Sequence, residues 1–308
     1  MKRIKIGISA CLLGIPVRYD GGHRLDHYLT FTLGRHFQWV PICPEVEAGM
    51  PVPREPMRLE GKPPEPKLIT KDTGLESSWI MKKWINKKLN QLKKKDLCGF
   101  VFKSGSPSCG IKGVKVYDLE SGSVRMGKGL FASAFIKAFP YMPVEDEVRL
   151  QNPEIRENFI ERVLSFKAWK DLTKKGMTKQ NLIEFHKGHK LQIMSHSHGH
   201  LQRLERLLKR AGRLSPSGLS EIYLSVYADA LKLKATKNKH YRVFKHIIRH
   251  VEKNLLEDEK KALFKIMNDY LKEKVSIAVP VTLLKHYTLR FAGDLARDFY
   301  LDIHLLPL

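Results

Sequence analysis

Three cysteines in this chain each follow an apolar run that reads as a buried β-strand. Cys11 ends the run that begins at Ile4, Cys43 follows Trp39-Val40-Pro41-Ile42, and Cys109 lies a short loop beyond Gly99-Phe100-Val101-Phe102-Lys103. In an open parallel sheet, loops leaving the carboxyl ends of the strands meet in one crevice, and ligands bind there. Thiols 32 and 66 residues apart in sequence can therefore converge. A trio of thiolates is a metal-site or cluster-site arrangement, and three ligands on a four-iron cluster leave one iron open to substrate. Spacing alone equally allows three unrelated core thiols, since the closely spaced Cys or His pairs of a zinc site are absent. Cys98 precedes its strand, and so is expected at the opposite sheet edge as a structural thiol.

The elements needed to position these thiols are legible over residues 1–150. A polar loop, Gly14 to Gly22, follows the first strand and leads into an expected helix from about Leu25 to His36. After Cys43 comes a proline-rich stretch to Pro56, which cannot be helix interior. Met57–Leu59 and Lys67–Thr70 are expected to pair as a hairpin around Gly61. An amphipathic helix from about Leu75 to Lys95 places Trp79, Ile80, Trp84, Ile85, Leu89 and Leu92 on one side. The third strand runs into the small-residue loop Ser104-Gly105-Ser106-Pro107-Ser108-Cys109-Gly110, where backbone can approach a ligand closely. A helix to about Phe139 and a last strand over Met142–Glu145 complete the pattern. Short buried strands alternating with helices predict an α/β fold, a Rossmann-like parallel sheet covered by helices.

From Asn152-Pro153 onward glycine and strand signals nearly vanish. Helices are expected over roughly 154–169, 178–194, 197–211, 217–234, 238–254, 257–273 and 280–300, with breaks near Gly176, Gly212-Arg213 and Pro280. The reading is two domains, residues 1–150 and an all-α domain over 153–308.

The 308 residues are 43% hydrophobic and 28% charged, values of a globular chain rather than a disordered one. No apolar run approaches the ~20 residues that span a bilayer, and four cysteines without a secretory signal argue against a disulfide framework. A cytoplasmic protein with reduced thiols and no membrane association is expected. The formal net charge is +23. Residues 1–152 hold 25 Lys and Arg against 15 Asp and Glu, and residues 153–308 hold 30 against 17. The excess is thus not a detachable tail. Such a field attracts polyanions, nucleic acid first among them, although a lysine-rich solvated surface gives the same composition.

Several of these segments taken together resemble the thiouracil desulfidase (TudS-like) family. They are Ser9-Ala10-Cys11-Leu12-Leu13-Gly14, Arg18-Tyr19-Asp20-Gly21, Pro41-Ile42-Cys43-Pro44-Glu45, Gly49-Met50-Pro51-Val52-Pro53-Arg54 and Lys103-Ser104-Gly105-Ser106-Pro107-Ser108-Cys109-Gly110. The second half resembles, more loosely, the YbgA-like helical domain through Met194-Ser195-His196-Ser197, Lys237-Asn238-Lys239-His240 and the segment from Pro280 to Tyr287. The combination is similar to two-domain desulfidases that remove sulfur from 4-thiouridine in tRNA. The resemblance implies a [4Fe-4S] cluster bound by three cysteines, Cys11, Cys43 and Cys109, with one open iron. It also implies catalytic roles for Glu45 and Ser106. A glycine at position 105 and the presence of Cys98 depart from the family pattern without touching the implied ligands. Chemically the assignment is coherent. Thiophilic iron suits a thiocarbonyl sulfur, a carboxyl at Glu45 can exchange the protons, and Ser106 can orient the pyrimidine or a water.

Arg18 and Arg54 lie in loops on the same side of the sheet. Each is suited to a nucleotide phosphate or, equally, to Asp20 or Glu55. Tyr19 is placed to stack or to pack, and Ser104 completes the expected substrate contacts. His196, His198 and His200 are expected in a turn, since period-two spacing does not align them on a helix face. Lys237, Lys239, Arg242, Lys245 and Arg249 give one helix a basic face, an RNA track or a solvated face. The leading expectation is a desulfidase acting on thiolated tRNA, with no protein partner. The alternatives are desulfuration of free thiouracil or thiouridine nucleotides, and a non-catalytic metal-braced RNA-binding protein.

Overall fold

In the computed structural model, which describes residues 3–210 and 214–305, the apolar runs ahead of the thiols become neighbouring strands. Strand β1 (Ile4–Ser9) pairs in parallel with β2 (Phe37–Ile42) on one side and with β5 (Leu97–Phe102) on the other, and β5 pairs in parallel with β8 (Val144–Asp146). The order β2-β1-β5-β8 sends the chain one way from β1 and the opposite way from β5. The crevice beyond the carboxyl ends of β1 and β5 is therefore the topological switch point where such sheets bind ligands.

Each face of this sheet is apolar and covered, as parallel sheets require. Phe100 and Phe102 of β5 stack at 4.0 Å and meet Phe131 and Phe135 of helix α3 (Leu130–Ala138) on one face. Helix α2 (Ser78–Lys94) covers the same face through Met81, Ile85 and Leu92. A Cβ on Gly7 would lie 2.3 Å from the Phe100 ring, so only glycine lets that ring pack across β1. On the other face Ile6, Ile8 and Val101 pack against Leu29, Leu33 and the first half of helix α4 (Pro153–Lys174), through Phe159, Ile160 and Val163.

Three local expectations change. Residues 25–36 do not form one helix but a wide π-type turn, Tyr28–Thr32, followed by a 3-10 turn, Leu33–Arg35. Thr30, Thr32 and Gly34 lower helix propensity there, and burial of Leu29 and Leu33 sets the shape instead. Trp79 is 65% exposed, because at 100° per residue it lies off the face defined by Met81, Ile85 and Leu92. The expected hairpin, β3 (Met57–Glu60) with β4 (Lys67–Thr70), forms, but within a second sheet of order β4-β3-β6-β7. Its further strands are β6 (Val114–Asp118) and β7 (Ser123–Gly127). Within the proline-rich stretch, Pro44–Glu47 forms the one-turn helix α1, with Pro at its first position as helix starts allow.

The expected boundary near residue 150 coincides with the start of α4. The division between compact units falls later, between Lys167 and Ala168 inside that helix, because its first half is core to the sheet. Among its described residues the second unit has helices and no strand after α4: α5 (Lys179–Lys187), α6 (Lys190–His196), α7 (His198–Lys209), α8 (Pro216–Lys232), α9 (Lys237–Val251), α10 (Glu257–Leu271), α11 (Ala278–Phe291), α12 (Gly293–Ala296) and α13 (Phe299–Ile303). Thr178, Ser197 and Ser215 cap α5, α7 and α8 with their side-chain oxygens. The expected break at Gly212-Arg213 lies outside the described residues. Among the described residues no helix is long and apolar enough to cross a membrane.

One carboxylate ties the second unit together. Asp298 accepts from the backbone N–H of Leu191 and of Tyr300, both at 2.9 Å, joining the starts of α6 and α13. Burial pushes its carboxyl up to about 7 in spite of those donors. A carboxyl that holds its proton more tightly folded than unfolded contributes fully at low pH and loses that contribution as pH rises through its folded pKa. Asp298→Asn keeps one of the two acceptors and removes the titration, at a pH-independent cost for the amide NH2 that then faces the other N–H. Thermal melts of variant and wild type should therefore shift in the variant's favour between pH 4 and pH 7. In the first unit, Phe159→Ala should cost about 3–5 kcal/mol in a urea titration, although Phe159 lies beyond the expected domain boundary.

Candidate functional site

The three thiols stand where the parallel pairing sends them. Cys11 lies in the 3-10 turn Ala10–Leu13 directly after β1, Cys43 follows β2 and starts α1, and Cys109 follows the loop after β5. Cys11 and Cys109 are buried and Cys43 is half-buried; all are free thiols. They lie close enough to influence one another's ionisation. Burial, then Cys43, pushes the Cys11 thiol up to about 11, with Lys103 and Arg18 pulling the other way. Burial likewise raises Cys43. Cys109 is also raised well above the usual thiol range: burial comes first, the Ser9 side chain opposes it by hydrogen-bonding the sulfur, and Glu45, Cys11 and Cys43 add to it.

The loop carrying Cys109 is held by the start of α3. The N–H groups of Gly129, Leu130, Phe131 and Ala132 donate to carbonyls of Gly110, Pro107 and Ser108, so the orphan donors of the helix end are satisfied by this loop. A Cβ on Gly129 would sit 2.5 Å from the Ser108 carbonyl carbon; glycine is what allows the contact. Within the loop, Ser106 Oγ accepts from the N–H of Ser108 at 3.2 Å and of Cys109 at 3.0 Å. Ser106 thus shapes the turn, and its own hydroxyl proton remains available to donate.

Glu45 is anchored from both oxygens. Oε1 accepts from the hydroxyl of fully buried Ser108 at 2.8 Å, and Oε2 accepts from Arg54 Nε at 2.9 Å and from Arg54 Nη2. The same guanidinium donates to the carbonyls of Val17 at 2.9 Å and Pro51 at 3.2 Å. Arg54, expected to hold a phosphate or to pair with Asp20 or Glu55, is therefore occupied in holding Glu45. Ser104 differs likewise. Its N–H and hydroxyl donate to Glu147 at 2.8 and 2.7 Å, and Lys103 Nζ reaches the same carboxylate at 2.5 Å, so Ser104 is fixed rather than offered to a ligand. Arg18 faces Asp20 and Tyr19. Its Nε stands 3.5 Å from Asp20 Oδ1, an ion pair without hydrogen-bond geometry, and its guanidinium carbon lies 5.2 Å from the centre of the Tyr19 ring. Tyr19 is 41% exposed.

Sequence reasoning missed Ser9, Lys103, Ser108 and Glu147. Glu147 follows β8, so all four parallel strands deliver polar groups to this end of the sheet. Position after a strand, the signal that found the thiols, also marks Glu147.

Three free thiols at one end of a sheet are the donor type that iron–sulfur groups use. Among the described residues no three His, Cys, Asp or Glu side chains close on a point that could hold one metal ion. A four-iron cluster is held at separate corners, each thiolate on its own iron, so a shared crevice is sufficient. Ser9 beside the Cys109 sulfur supplies the kind of hydrogen bond that tunes such ligands.

In the second unit the basic helix divides. Lys237 pairs with Glu273, and Lys239 Nζ donates to the carbonyls of His196 at 2.7 Å and Lys234 at 2.6 Å; both expected RNA contacts serve the fold. Arg242, Lys245 and Arg249 are exposed along α9. The histidine triplet sits at the α6–α7 turn as expected, with His196 buried against the Leu233 carbonyl at 2.6 Å.

Residues 6–147 match the family model described as 2-thiouracil desulfurase, and residues 190–304 match that of a protein of unknown function, DUF1722. The chain is 28% identical over 144 residues to the uncharacterized protein YbbK of Bacillus subtilis (strain 168), a match covering 45% of this chain and 93% of that one. It is 31% identical to a solved structure, the [4Fe-4S]-dependent thiouracil desulfidase TudS, over 50% of this chain and 96% of that one, with a TM-score of 0.40.

The mostly buried Arg54–Glu45 pair makes a stability statement. Arg54→Ala strands a carboxylate and should cost about 3 kcal/mol. Arg54→Lys, lacking the planar fork, should recover only part of it. Urea unfolding of the three proteins under reducing conditions measures both.

Proposed function

Because this chain is a two-domain TudS-like protein whose first domain belongs to the 2-thiouracil desulfurase family, we propose that it removes sulfur from 4-thiouridine in tRNA, leaving uridine and sulfide. The carrying observation is the convergence of Cys11, Cys43 and Cys109 beside an anchored Glu45. Cys11, Cys43 and Cys109 would hold the cluster, which supplies, through an iron without a protein ligand, a thiophilic Lewis acid for the thiocarbonyl sulfur.

The chain's own groups carry the proton traffic. Exchange of C=S for C=O consumes one water and yields hydrogen sulfide, so it requires no net electron transfer. Glu45 accepts a proton from the attacking water and returns it to the departing sulfur. Arg54 and Ser108 hold the carboxylate at a fixed angle, which is what positioning contributes to such a step. Ser106 donates its remaining proton to the pyrimidine or the water. Arg18, whose Nε lies 3.5 Å from Asp20, takes the nucleotide phosphate through its guanidinium, and Tyr19 beside it lies against the sugar or base.

The family description favours a free thiouracil base as the alternative substrate. Support for tRNA comes from the formal charge of +23 and from exposed Arg242, Lys245 and Arg249 in the added helical unit. The test is anaerobic reconstitution followed by parallel assays of sulfide release from thiolated tRNA and from free 2-thiouracil. Turnover on the tRNA, falling steeply with salt, is expected; turnover confined to the free base replaces the tRNA reading. Glu45→Ala should lower turnover by about 10²-fold or more with iron content and colour retained. Full activity in that variant removes Glu45 from the mechanism.

A further inference from the structure

Helix α7 carries Arg203 and Arg206 at a spacing of three, and Arg210 follows four residues later at its C-terminal end. That spacing places all three along one side of the helix. They rim a groove of about 430 Å³ whose apolar wall includes Leu207 together with Ile222 and Val226 of α8. All three arginines are exposed, and among the described residues none is paired with a carboxylate. Two acids of these helices are engaged elsewhere, Glu205 with Lys190 at 2.8 Å and Asp229 with Lys232 at 2.9 Å, and one exposed carboxylate, Glu221, follows on α8 beside Ile222. Three arginines therefore outnumber the acid near Ile222, which is left 42% exposed.

A ligand matching these features presents several anions in a row and an apolar face between them. A single strand of nucleic acid does both: its phosphates repeat along the backbone, and its unstacked bases offer flat apolar faces. Guanidinium suits both parts, since it forks phosphate oxygens and stacks on planar rings. A duplex supplies the phosphates but keeps its bases stacked, so it leaves Ile222 unused. A chain of like charges without acidic partners carries a repulsive cost that a polyanion relieves.

We propose that the α7–α8 groove binds a single-stranded stretch of RNA, with Arg203, Arg206 and Arg210 on successive phosphates and an unpaired base against Ile222. The inference rests on the tRNA reading above and names a surface for it separate from the basic face of α9. In a tRNA, the segments that meet this description are loops and the unpaired end.

The test is a fluorescence-anisotropy titration of the full-length protein, across a range of salt concentrations. Its probes are an unthiolated tRNA transcript, a short oligouridylate and a blunt RNA duplex of the same length. Wild type should bind the single strand more tightly than the duplex. R203A/R206A/R210A should weaken single-strand binding at least about tenfold and lower the log–log salt slope by about 2, near 0.7 per lost contact. Ile222→Ala should weaken single-strand binding severalfold while duplex binding stays unchanged. These four residues are exposed, and circular dichroism checks that the helices persist. Unchanged binding by the triple variant, or loss confined to R242A/R249A, overturns the groove. A wild-type protein with no affinity for any of the RNAs overturns the tRNA reading itself, and the groove with it.

Discussion

Parallel pairing of β1 with β2 on one side and β5 on the other points three carboxyl ends the same way. Everything else at the site follows from that register. Because loops leave each strand at the same end, residues 11, 43 and 109 reach one end of the sheet although 98 positions of chain separate the first from the last. This placement is unfavourable for thiolates alone. Each is desolvated; Cys43 raises Cys11, and both raise Cys109. A group with several positive centres changes that balance, because coordination displaces the thiol protons and the negative charges then face metal rather than one another. The pocket is thus arranged so that its thiols are held as thiols until something takes their protons.

The second constraint is a pair of buried carboxylates that brace the loops around the thiols. Glu45 is reached by Arg54 from the proline-rich stretch and by Ser108 from the Cys109 loop, while Arg54 also grips the Val17 carbonyl of the loop after β1. One carboxylate therefore joins the loops of β1, β2 and β5. Glu147 performs the matching task after β8, binding Lys103 and Ser104 at the exit of β5. Hydrogen bonds to ionised groups are the stronger ones, and here they are used where no regular ladder can hold the chain. The two carboxylates differ in one respect that bears on chemistry. Glu147 is enclosed by an ammonium and a serine on the far side of Cys11, whereas Glu45 follows a thiol by two residues on a one-turn helix.

Legibility in the sequence tracked the range of the interactions. The four parallel strands were readable because each is a short apolar run, and the second unit as helical because glycine and strand signals vanish there. The helix expected over 178–194, however, divides at Gly188 into α5 and α6, and that over 280–300 becomes α11, with Pro280 in its first turn, then α12 and α13. The β6–β7 hairpin was not, since β7 turns Val124 and Met126 to solvent and offers no apolar run. Within the site, the thiols and Glu45 could be picked out from their places after strands and from family resemblance. The roles of Arg54 and Ser104 could not. Their partners lie 9 and 43 residues away, and which carboxylate an arginine meets is a property of loop packing alone. The same applies to Ser108, whose partner is 63 residues distant.

Charge shows the same limit from the other direction. A basic helix face counted from sequence treats every Lys and Arg alike, but a cation can close a helix end, pair across elements or stand in water. On α9 the first two lysines are bound to Glu273 and to backbone carbonyls, while Arg242, Lys245 and Arg249 remain outside. On α7 the arginines have no carboxylate partner among the described residues, Arg206 Nε donating only to the Gln202 carbonyl at 3.4 Å, and they border apolar surface rather than bare solvent. Lysine ammonium is strongly hydrated and loses little by remaining in water; guanidinium is hydrated weakly and gains more from planar or forked contacts. Arginines without a carboxylate partner beside an exposed isoleucine are therefore a more selective feature than a larger number of solvated lysines. The excess charge of the second unit divides accordingly into a part that holds helices, a part that keeps the surface wet, and a smaller part that borders apolar surface without a carboxylate partner among the described residues.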